Sequence, residues 1–340
     1  MKVLEKIENV SKFVIDQNNL YYQKSGTIFF QDIIIRNLED NFFGEFYLNN
    51  GELIIQSNYG EFEYGGIIYK GYYNYLNTQK ISFFSTDDNS MHIFEGKSQL
   101  KIYIKKQYHQ FNNNAFVIDV SIIQAYTLPT AKLLWQFDLS ELGEYKPLRT
   151  NTYKKYEVLK FLGVWYDQLL VACSNGLILS LDINIGQEIK RFHQCPAYTL
   201  GSDTYHHFNN AYPFVLDEKR EILFALHTYY YMEIKLDLGE IIVVDLRDNM
   251  EANKISLFRQ SRGYAWDDTY IYTIGEVADH KSPLALGDRC LLAFNRFSKE
   301  IEWQYIFEND SINTDIPQVS GDKLYQLSTK KVLHIFKKDD

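Results

Sequence analysis

Short apolar runs, rich in β-branched and aromatic residues, alternate with polar turn residues along most of the chain. Between residues 157 and 192, four such runs are separated by turns at Asp167, Asn175-Gly176 and Asn184-Ile185-Gly186. Turns that contain Gly or Asn-Gly between short β-forming runs are signals for β-hairpins. The pattern therefore predicts a four-stranded antiparallel sheet over this segment.

The same order of runs and turns returns downstream, over residues 212–258 and 262–307. An apolar residue of the expected second strand recurs about every fifty residues, a period typical of β-propeller blades, at Leu169, Ile222, Tyr270 and Leu324. Because each blade of a propeller is one four-stranded sheet, this repetition predicts a single all-β domain over residues 1–340.

The two chain ends are expected to share one sheet. Residues 316–340 supply three strands, whereas residues 1–8 alternate apolar and charged side chains and have no unit of their own. Pairing them would cover two otherwise open sheet edges. The sequence therefore predicts that the N-terminal strand completes the last blade.

These units predict a seven-bladed β-propeller. The blades are placed near residues 12–47, 52–85, 91–139, 157–192, 212–258 and 262–307, and at 316–340 together with 1–10. Six or eight blades remain alternatives, because residues 62–76 and 101–127 lack clear turn residues. A β-sandwich is a further alternative, which the repetition of four-stranded units disfavours.

Composition supports a β-rich protein and limits its partners. Tyr (27) and Phe (23) are abundant and Pro (6) is scarce, as suits pleated sheets. No stretch approaches the ~20 apolar residues of a membrane span, and residues 1–8 lack the apolar run of a secretory signal. The absence of such runs, together with three widely spaced cysteines, predicts a cytoplasmic protein with reduced thiols. The net charge of −9 disfavours nucleic acid and favours a basic protein partner.

Two segments resemble the quinoprotein-type (PQQ-like) repeat, which is related in form to WD-type propeller repeats. In that repeat an apolar strand ends in Asp, a Gly turn follows, and the next strand often ends in Trp. The Asp is matched by Asp182 and Asp245, the Gly by Gly186, and the Trp by Trp135 and Trp303. The resemblance implies a propeller scaffold. Quinone-dependent dehydrogenases of that family also have adjacent cysteines, which this sequence lacks, so no cofactor is expected.

Local catalytic and metal-binding motifs are absent from the sequence. Asp87-Asp88 is a candidate carboxylate pair, although a polar turn explains it as well. His193, Cys195, His206 and His207 lie in one segment but match no common zinc spacing, so no metal site is expected.

Loop lengths suggest a binding face. In an antiparallel blade, the connections between blades and those between the second and third strands lie at the same end. Long connections are expected there at 140–156, 193–211, 227–238 and 276–288, whereas the opposite turns are short. The predicted partner-binding residues are Arg149, Tyr153, Tyr198, Tyr205, His206, His207, Tyr229, Tyr230, Tyr231, Asp279 and His280.

The sequence therefore favours a non-catalytic propeller that grips a protein partner with its long-loop face. A narrower hypothesis is an immunity protein that neutralises a bacterial toxin. Two alternatives stay open: an enzyme or small-ligand receptor that uses the central shaft, and a scaffold subunit of an assembly.

Overall fold

A computed structural model describes most of the chain. The described residues are 1–16, 18–38, 45–49, 52–56, 61–64, 67–70, 72–74, 80–85, 90–95, 98–103, 108–112, 114–119, 121–127, 132–146, 152–193, 198–200, 203–205, 214–227, 229–258, 264–277, 288–308, 310–312 and 316–338. Strands dominate them, and most strands belong to antiparallel sheets of four. We number these sheets 1 to 8 in chain order.

The first strand, β1 (Lys2–Ile7), belongs to sheet 8. Sheet 1 contains β2 (Val10–Asp16), β3 (Asn19–Lys24), β4 (Thr27–Phe30) and β5 (Ile33–Asn37). Sheet 2 contains β6 (Glu45–Asn49), β7 (Glu52–Gln56), β8 (Glu61–Tyr64) and β9 (Ile67–Lys70). Sheet 3 contains β10 (Tyr72–Asn74), β11 (Lys80–Ser85), β12 (Ser90–Glu95) and β13 (Ser98–Tyr103). Sheet 4 contains β14 (Tyr108–Phe111), β15 (Asn114–Asp119), β16 (Ile122–Thr127) and β17 (Lys132–Asp138).

The C-terminal half follows the same plan with insertions between sheets. A 3-10 helix (Leu139–Leu142) and the ribbon β18 (Glu144–Tyr145) and β19 (Lys154–Lys155) precede sheet 5, which contains β20 (Val158–Trp165), β21 (Gln168–Cys173), β22 (Leu177–Asp182) and β23 (Glu188–His193). The ribbon β24 (Tyr198–Leu200) and β25 (Asp203–Tyr205) precedes sheet 6, which contains β26 (Val215–Asp217), a 3-10 helix (Glu218–Arg220), β27 (Ile222–His227), β28 (Tyr230–Lys235) and β29 (Ile241–Asp245).

Sheet 7 is the largest sheet. After helix α1 (Arg247–Ala252), it contains β30 (Ile255–Phe258), β31 (Ala265–Trp266), β32 (Tyr270–Val277), β33 (Asp288–Asn295) and β34 (Glu300–Ile306), with β30 and β31 both paired to β32. Sheet 8 contains β35 (Gln318–Ser320), β36 (Lys323–Leu327), β37 (Leu333–Lys337) and β1. Across the described ranges, no helix has the length and apolar character needed to cross a membrane.

The chain divides into two compact units. One comprises Met1–Tyr69, Leu226–Tyr231 and Val244–Asp340, and it holds sheets 1, 2, 7 and 8. The other comprises Lys70–Ala225 and Met232–Val243, and it holds sheets 3, 4 and 5 with most of sheet 6.

The predicted meeting of the chain ends is confirmed. Strand β1 pairs antiparallel with β37, with Lys2 opposite Lys337 and Ile7 opposite Leu333. It forms the free edge of sheet 8, in the order β1-β37-β36-β35. Because β1 is mostly exposed, hydrogen bonds to β37 rather than burial of its side chains hold much of it in place.

The N-terminal sheets differ from the predicted segments. Residues 12–47, 52–85 and 91–139 were expected to form three blades, but residues 10–138 form four sheets. The tyrosine-rich run at 62–76 is divided among β8, β9 and β10, which belong to two sheets. Gly65-Gly66 and Gly71 fall between these strands in the sequence, and a Gly-Gly pair is a signal for a two-residue hairpin, so the run does contain breaks. The described residues thus contain seven sheets of four strands and one sheet of five.

Sheet 6 corrects a second expectation. Residues 227–238 were expected to be a long loop, but they contain β28, and only two residues separate β27 from β28. The segment expected to be the third strand is β29, the fourth strand, and the segment expected to be the fourth strand is β30 of sheet 7. The two residues that separate β27 from β28 in the sequence, Thr228 and Tyr229, are not among the usual turn residues.

Neighbouring sheets within each unit pack through apolar side chains. In one unit, Phe116 and Trp135 of sheet 4 meet Leu169 and Leu179 of sheet 5. In the other unit, the side chains of β37 point alternately to the two faces of sheet 8. Leu333 and Ile335 pack with sheet 1 on one face, and Phe336 packs with sheet 7 on the other. Burial of these aliphatic and aromatic groups, at about 25 cal/mol per Å² of apolar surface, is the main source of stability.

A β-bulge near the start of the fourth strand recurs in sheets 1, 4, 5 and 7. The pairing register shifts by one residue there, so that the extra residues are Ile35, Leu134, Ile189 and Glu302. The next residue in three of these sheets is a docking residue that donates to a backbone carbonyl. Trp135 Nε1 donates to Ile183 O (2.8 Å), Lys190 Nζ to Asp237 O (3.1 Å), and Trp303 Nε1 to Met1 O (3.1 Å).

The turn after the third strand also repeats. Gly186 N donates to Asp182 O (2.9 Å), and Asp182 Oδ1 accepts hydrogen bonds from the N–H groups of Asn184 and Ile185. Gly186 has φ +70°, and a Cβ there would lie 2.5 Å from the Trp135 ring. Glycine is therefore required both by the backbone and by the docked ring.

The same turn occurs at residues 235–239, where Gly239 N donates to Lys235 O (2.7 Å), and at residues 295–299. Asp245 was matched to Asp182 from sequence, but the equivalent position is Lys235. Asp245 instead ends the fourth strand β29 and holds the Arg247 guanidinium. The sequence match failed because the third strand of sheet 6 was assigned one strand too late.

Candidate functional site

The predicted partner-binding residues other than Tyr231 fall into three groups. Tyr153 is exposed, and Tyr229 and Tyr230 are partly exposed. For Tyr198 and Tyr205 the backbone alone is described, where they are opposite partners in the β24–β25 ribbon. The remaining residues except Tyr231 lie outside the described residues: Arg149, His206, His207, Asp279 and His280.

Tyr231 is a core residue, which corrects its predicted role in partner binding. Its side chain is 0% exposed, with its ring centroid 5.1 Å from that of Phe294. The Lys299 ammonium lies 4.1 Å from the Tyr231 ring centroid, as in a cation–π contact. Tyr229 precedes β28 and borders a hollow of about 200 Å³ beside Arg247 and Met250. Alternation along the strand explains why adjacent tyrosines have different environments.

Two of the predicted long connections are present. The β17–β20 and β23–β26 connections each contain a two-stranded ribbon. The β32–β33 connection, at residues 278–287, lies outside the described residues. The short turns predicted at the other ends of sheets 5, 6 and 7 are confirmed.

Most residues of the candidate carboxylate pair and of the candidate histidine and cysteine cluster lie outside the described part of the chain. Asp87, Asp88, Cys195, His206 and His207 lie outside the described residues. Where side chains are described, no three His, Cys, Asp or Glu residues are grouped closely enough to hold a metal ion. Cys173 and Cys290 are buried free thiols, and burial raises the pKa of each, which makes them unreactive at neutral pH.

The short turns of sheets 5 and 6 carry an apolar surface that was not predicted. Tyr166, Ile185 and Leu238 lie at three of these turns, and their side chains are 70%, 56% and 68% exposed. We call these three residues the turn surface. Exposed apolar residues that are scattered singly are ordinary, whereas contiguous apolar patches are typical of contact surfaces.

Hydrogen bonds connect the turns that carry these residues. Ile183 N donates to Asp167 O (3.0 Å), which joins the two turns of sheet 5. The Tyr166 hydroxyl donates to the Glu221 carboxylate in the first turn of sheet 6, and Leu236 N donates to Glu221 O (3.0 Å). The turn surface therefore spans two neighbouring sheets of one unit on a hydrogen-bonded framework.

The second connection between these sheets comes from Lys190. Its ammonium donates to Leu236 O (3.3 Å) and Asp237 O (3.1 Å), next to Leu238. The Lys190 ammonium is therefore neutralised in part by two backbone carbonyls. We call this contact the Lys190 clamp, and it holds in place the turn that carries Leu238.

Acidic side chains outnumber basic ones around the turn surface. The carboxylates on or next to the four short turns of sheets 5 and 6 include Asp167, Asp182, Glu218, Glu221, Asp237 and Glu240, against Lys219, Arg220 and Lys235. Arg220 also pairs with Asp217 at 3.9 Å. The hydrogen bond to Glu221 raises the pKa of Tyr166, so its hydroxyl stays protonated at physiological pH. The surface is apolar with an acidic surround.

A sequence signal for this surface existed. Ile185 lies between Asn184 and Gly186, and Leu238 lies between Asp237 and Gly239. A large apolar residue inside a polar turn has no core to enter, which indicates exposure. Loop length favours the opposite ends of the sheets and gives no signal for the turn surface.

Comparisons with known proteins give similarity in structure alone. No protein-family model matches the chain, and no curated protein matches it in sequence. Sqt1 from Saccharomyces cerevisiae aligns with a TM-score of 0.63 at 10% identity over 100% of both chains. The computationally designed protein Ika8 aligns with a TM-score of 0.59 at 10% identity over 98% of both chains. The WD40 β-propeller domain of Doa1 aligns with a TM-score of 0.43 at 10% identity, over 100% of this chain and 96% of its own.

The likeness to Sqt1 and Ika8 shows a shared fold. Together with the repeated four-stranded antiparallel sheets and the pairing of β1 with β37, it defines the chain as an all-β protein of the β-propeller class. The expected β-propeller fold is confirmed.

Proposed function

We propose that this chain is a protein-binding module and that the turn surface is a contact site for its partner. One observation carries the proposal: Tyr166, Ile185 and Leu238 are each more than half exposed on turns joined by hydrogen bonds. A fixed backbone lowers the entropy cost of binding, and apolar anchors supply the burial. Tyrosine is also among the residues enriched at interface hot spots.

The charges indicate the chemistry of the partner. Asp167, Glu218 and Asp237 are exposed beside the apolar side chains. A partner with an apolar centre flanked by Lys or Arg would match both features, because opposite charges steer association and set register. The net charge of −9 acts in the same direction.

Site-specific photo-crosslinking tests the proposal. A benzophenone amino acid is placed at Ile185 or at Leu238 in the full chain, which is expressed in its native host and irradiated. We expect both positions to trap the same protein, identified by mass spectrometry. The control position is Ile33 on the outer strand of sheet 1, which is similarly exposed (63%).

The affinity of variants for the trapped partner gives a quantitative test. With the trapped partner purified, Leu238→Ser should weaken its binding by about 1 kcal/mol or more if Leu238 is an anchor. Ile33→Ser should leave binding unchanged. The proposal fails if Ile185 and Leu238 trap no common protein, or if Leu238→Ser and Ile33→Ser bind the partner equally well.

A narrower form of the proposal is an immunity protein that acts in the cytoplasm and occludes a basic bacterial toxin. The acidic charge and the absence of local catalytic motifs support this form. Co-expression with the trapped partner tests it: the wild-type chain should protect cells from that partner, and Leu238→Ser should protect them less. A partner that is harmless when expressed alone would exclude a toxin.

The predicted long-loop residues remain a separate hypothesis for the contact site. Crosslinkers at Tyr153 and Tyr229 test it in the same experiment. Adducts at those positions, with none at Ile185 and Leu238, would move the site to the long connections.

A further inference from the structure

A cleft of about 480 Å³ opens between sheets 7 and 8. One wall comes from sheet 8 and its loops, including Lys6, Lys330 and His334, and the other comes from β34 and the residues that follow it, including Tyr305 and Phe307. Both sheets belong to the same unit. We call this site the histidine cleft. Its volume is within the ~300–1,000 Å³ range of small-molecule sites.

His334 is the unusual group in the cleft. Its side chain is 5% exposed, and neither Nδ1 nor Nε2 has a hydrogen-bond partner among the described residues. Aromatic rings surround it, with the Phe307 ring centroid at 4.8 Å and that of Tyr305 at 5.9 Å. A buried polar group without a partner is costly, so such a group usually has a role or a ligand. A neutral imidazole offers one donor and one acceptor.

The mouth of the cleft carries charges of both signs. Lys6 is the cross-strand neighbour of His334, and Lys330 lies in the turn before β37. Glu308 lies on the opposite wall, and Glu8 follows β1. These four side chains are exposed to solvent and remain available to a ligand.

Asp310 differs from these groups because the fold already uses it. Burial alone would raise its pKa, but hydrogen bonds from the Ser328 and Thr329 hydroxyls and from the backbone N–H groups of Ser311 and Lys330 hold the pKa below its usual value. The Thr329 hydroxyl donates at 2.7 Å. Asp310 therefore orders the loop beside the cleft and leaves Glu8 and Glu308 to contact a cation.

We propose that the histidine cleft binds a small zwitterion with an aromatic ring and a hydroxyl group, of the size and chemistry of an aromatic amino acid. The ring packs against Tyr305 and Phe307, and the hydroxyl exchanges hydrogen bonds with His334. The carboxylate lies near Lys6 and Lys330, and the ammonium lies near Glu8 and Glu308. This site involves other sheets than the turn surface, so the inference does not rest on the proposed function.

Four probes separate these contributions: L-tyrosine, L-phenylalanine without the hydroxyl, tyramine without the carboxylate, and 3-(4-hydroxyphenyl)propionate without the ammonium. Each is titrated into the full chain while the His334 imidazole is followed by ¹⁵N NMR. We expect L-tyrosine to shift the His334 signals saturably. L-Phenylalanine should bind about tenfold more weakly, because it leaves the buried imidazole unpaired. Each singly charged probe should lose up to about fivefold, as expected for solvent-exposed ion pairs.

Two exposed substitutions assign the charges without threatening the fold. Lys6→Gln should weaken L-tyrosine but not tyramine, which has no carboxylate. Glu308→Gln should weaken L-tyrosine but not the propionate, which has no ammonium. Lys2→Gln is the matched control, on the same strand as Lys6 but outside the cleft.

Two results would overturn the proposal. One is the absence of a saturable change at His334 with any of the four probes. The other is equal affinity for all four, which would indicate nonspecific contact with the aromatic wall. Neither result would bear on crosslinking at Ile185 and Leu238.

Discussion

The seam between sheets 4 and 5 and the seam between sheets 7 and 8 begin from the same design. In each, a bulge on the fourth strand presents a tryptophan, Trp135 or Trp303, whose Nε1 donates to a backbone carbonyl. The first seam is filled with buried apolar side chains. The second has the same kind of clamp but also holds a buried imidazole beside an open cleft. One repeat geometry therefore serves stability in one place and leaves room for a ligand in another.

Removing the tryptophan of the apolar seam should have the largest effect. Trp135 is 7% exposed, donates to Ile183 O and covers Gly186. Trp135→Ala deletes a large buried ring and leaves a cavity, which typically costs about 3–5 kcal/mol. Urea unfolding followed by circular dichroism measures the loss.

The corresponding substitution in the other seam sharpens the comparison. Trp303 is only partly buried, so Trp303→Ala should cost about 2 kcal/mol, within the usual range for partial loss of an aromatic side chain. Equal losses for the two variants would show that the two tryptophans contribute equally to stability.

The buried imidazole predicts a pH dependence specific to the second seam. Burial lowers the pKa of His334 to about 4, the nearby Lys6 charge acts in the same direction, and Asp310 opposes them. An unfolded histidine has a pKa of about 6.5. Between these values the unfolded chain takes up a proton that the folded chain does not. Stability is therefore full above about pH 6.5 and falls as the pH drops towards 4, by about 3 kcal/mol in total.

His334→Leu tests this pH dependence. The variant lacks the titrating group, so its free energy of unfolding should fall less than that of the wild type between pH 6.5 and 4. Below pH 5 the variant should be the more stable protein. The comparison is made as a difference, because burial also lowers the pKa of His109. Parallel pH curves for the two proteins would contradict the assignment to His334.

Much of the fold follows from the sequence wherever turns contain Gly, Asn or Asp. Sheet 5 was predicted on that basis, and the joining of the chain ends was predicted from the strand that residues 316–340 lack; both are confirmed. One error falls at residues 62–76, where short strands are separated by Gly65-Gly66 and Gly71 within a run that is otherwise rich in tyrosine. The other falls between β27 and β28, where turn residues are weak and the strands are set by packing against neighbouring sheets, which local sequence does not encode.

The candidate sites were harder to predict. Tyr231 was grouped with Tyr229 and Tyr230 by sequence adjacency, but strand alternation buries it. His334 is the one polar residue in the apolar run 332–336, so sequence alone makes it part of a core strand. The wall that faces His334 comes from β34, about thirty residues earlier in the chain. A contact between residues so far apart in sequence leaves no local motif.

The third docking residue gives the smallest effect and tests how general the clamp is. In sheet 5 the position of the tryptophan is taken by Lys190, whose ammonium donates to Leu236 O and Asp237 O and lies 5.1 Å from the Phe192 ring centroid. Lys190→Met keeps the length and packing of the side chain but removes the donor. It should lower the free energy of unfolding by about 1 kcal/mol, the usual net value of a hydrogen bond.

Lys132→Met is the matched control, since Lys132 is an exposed lysine at the start of β17, a fourth strand like β23. It should change stability by less than about 0.5 kcal/mol. If both substitutions have the same effect, the Lys190 ammonium contributes no clamp. The feature that the sheets share would then be the β-bulge alone, without the hydrogen-bond donor that follows it. If Lys190→Met alone destabilises the protein, the bulge position selects for a long side chain with an N–H donor. A lysine there can replace a tryptophan at lower stability because its aliphatic stem buries less apolar surface than an indole ring does.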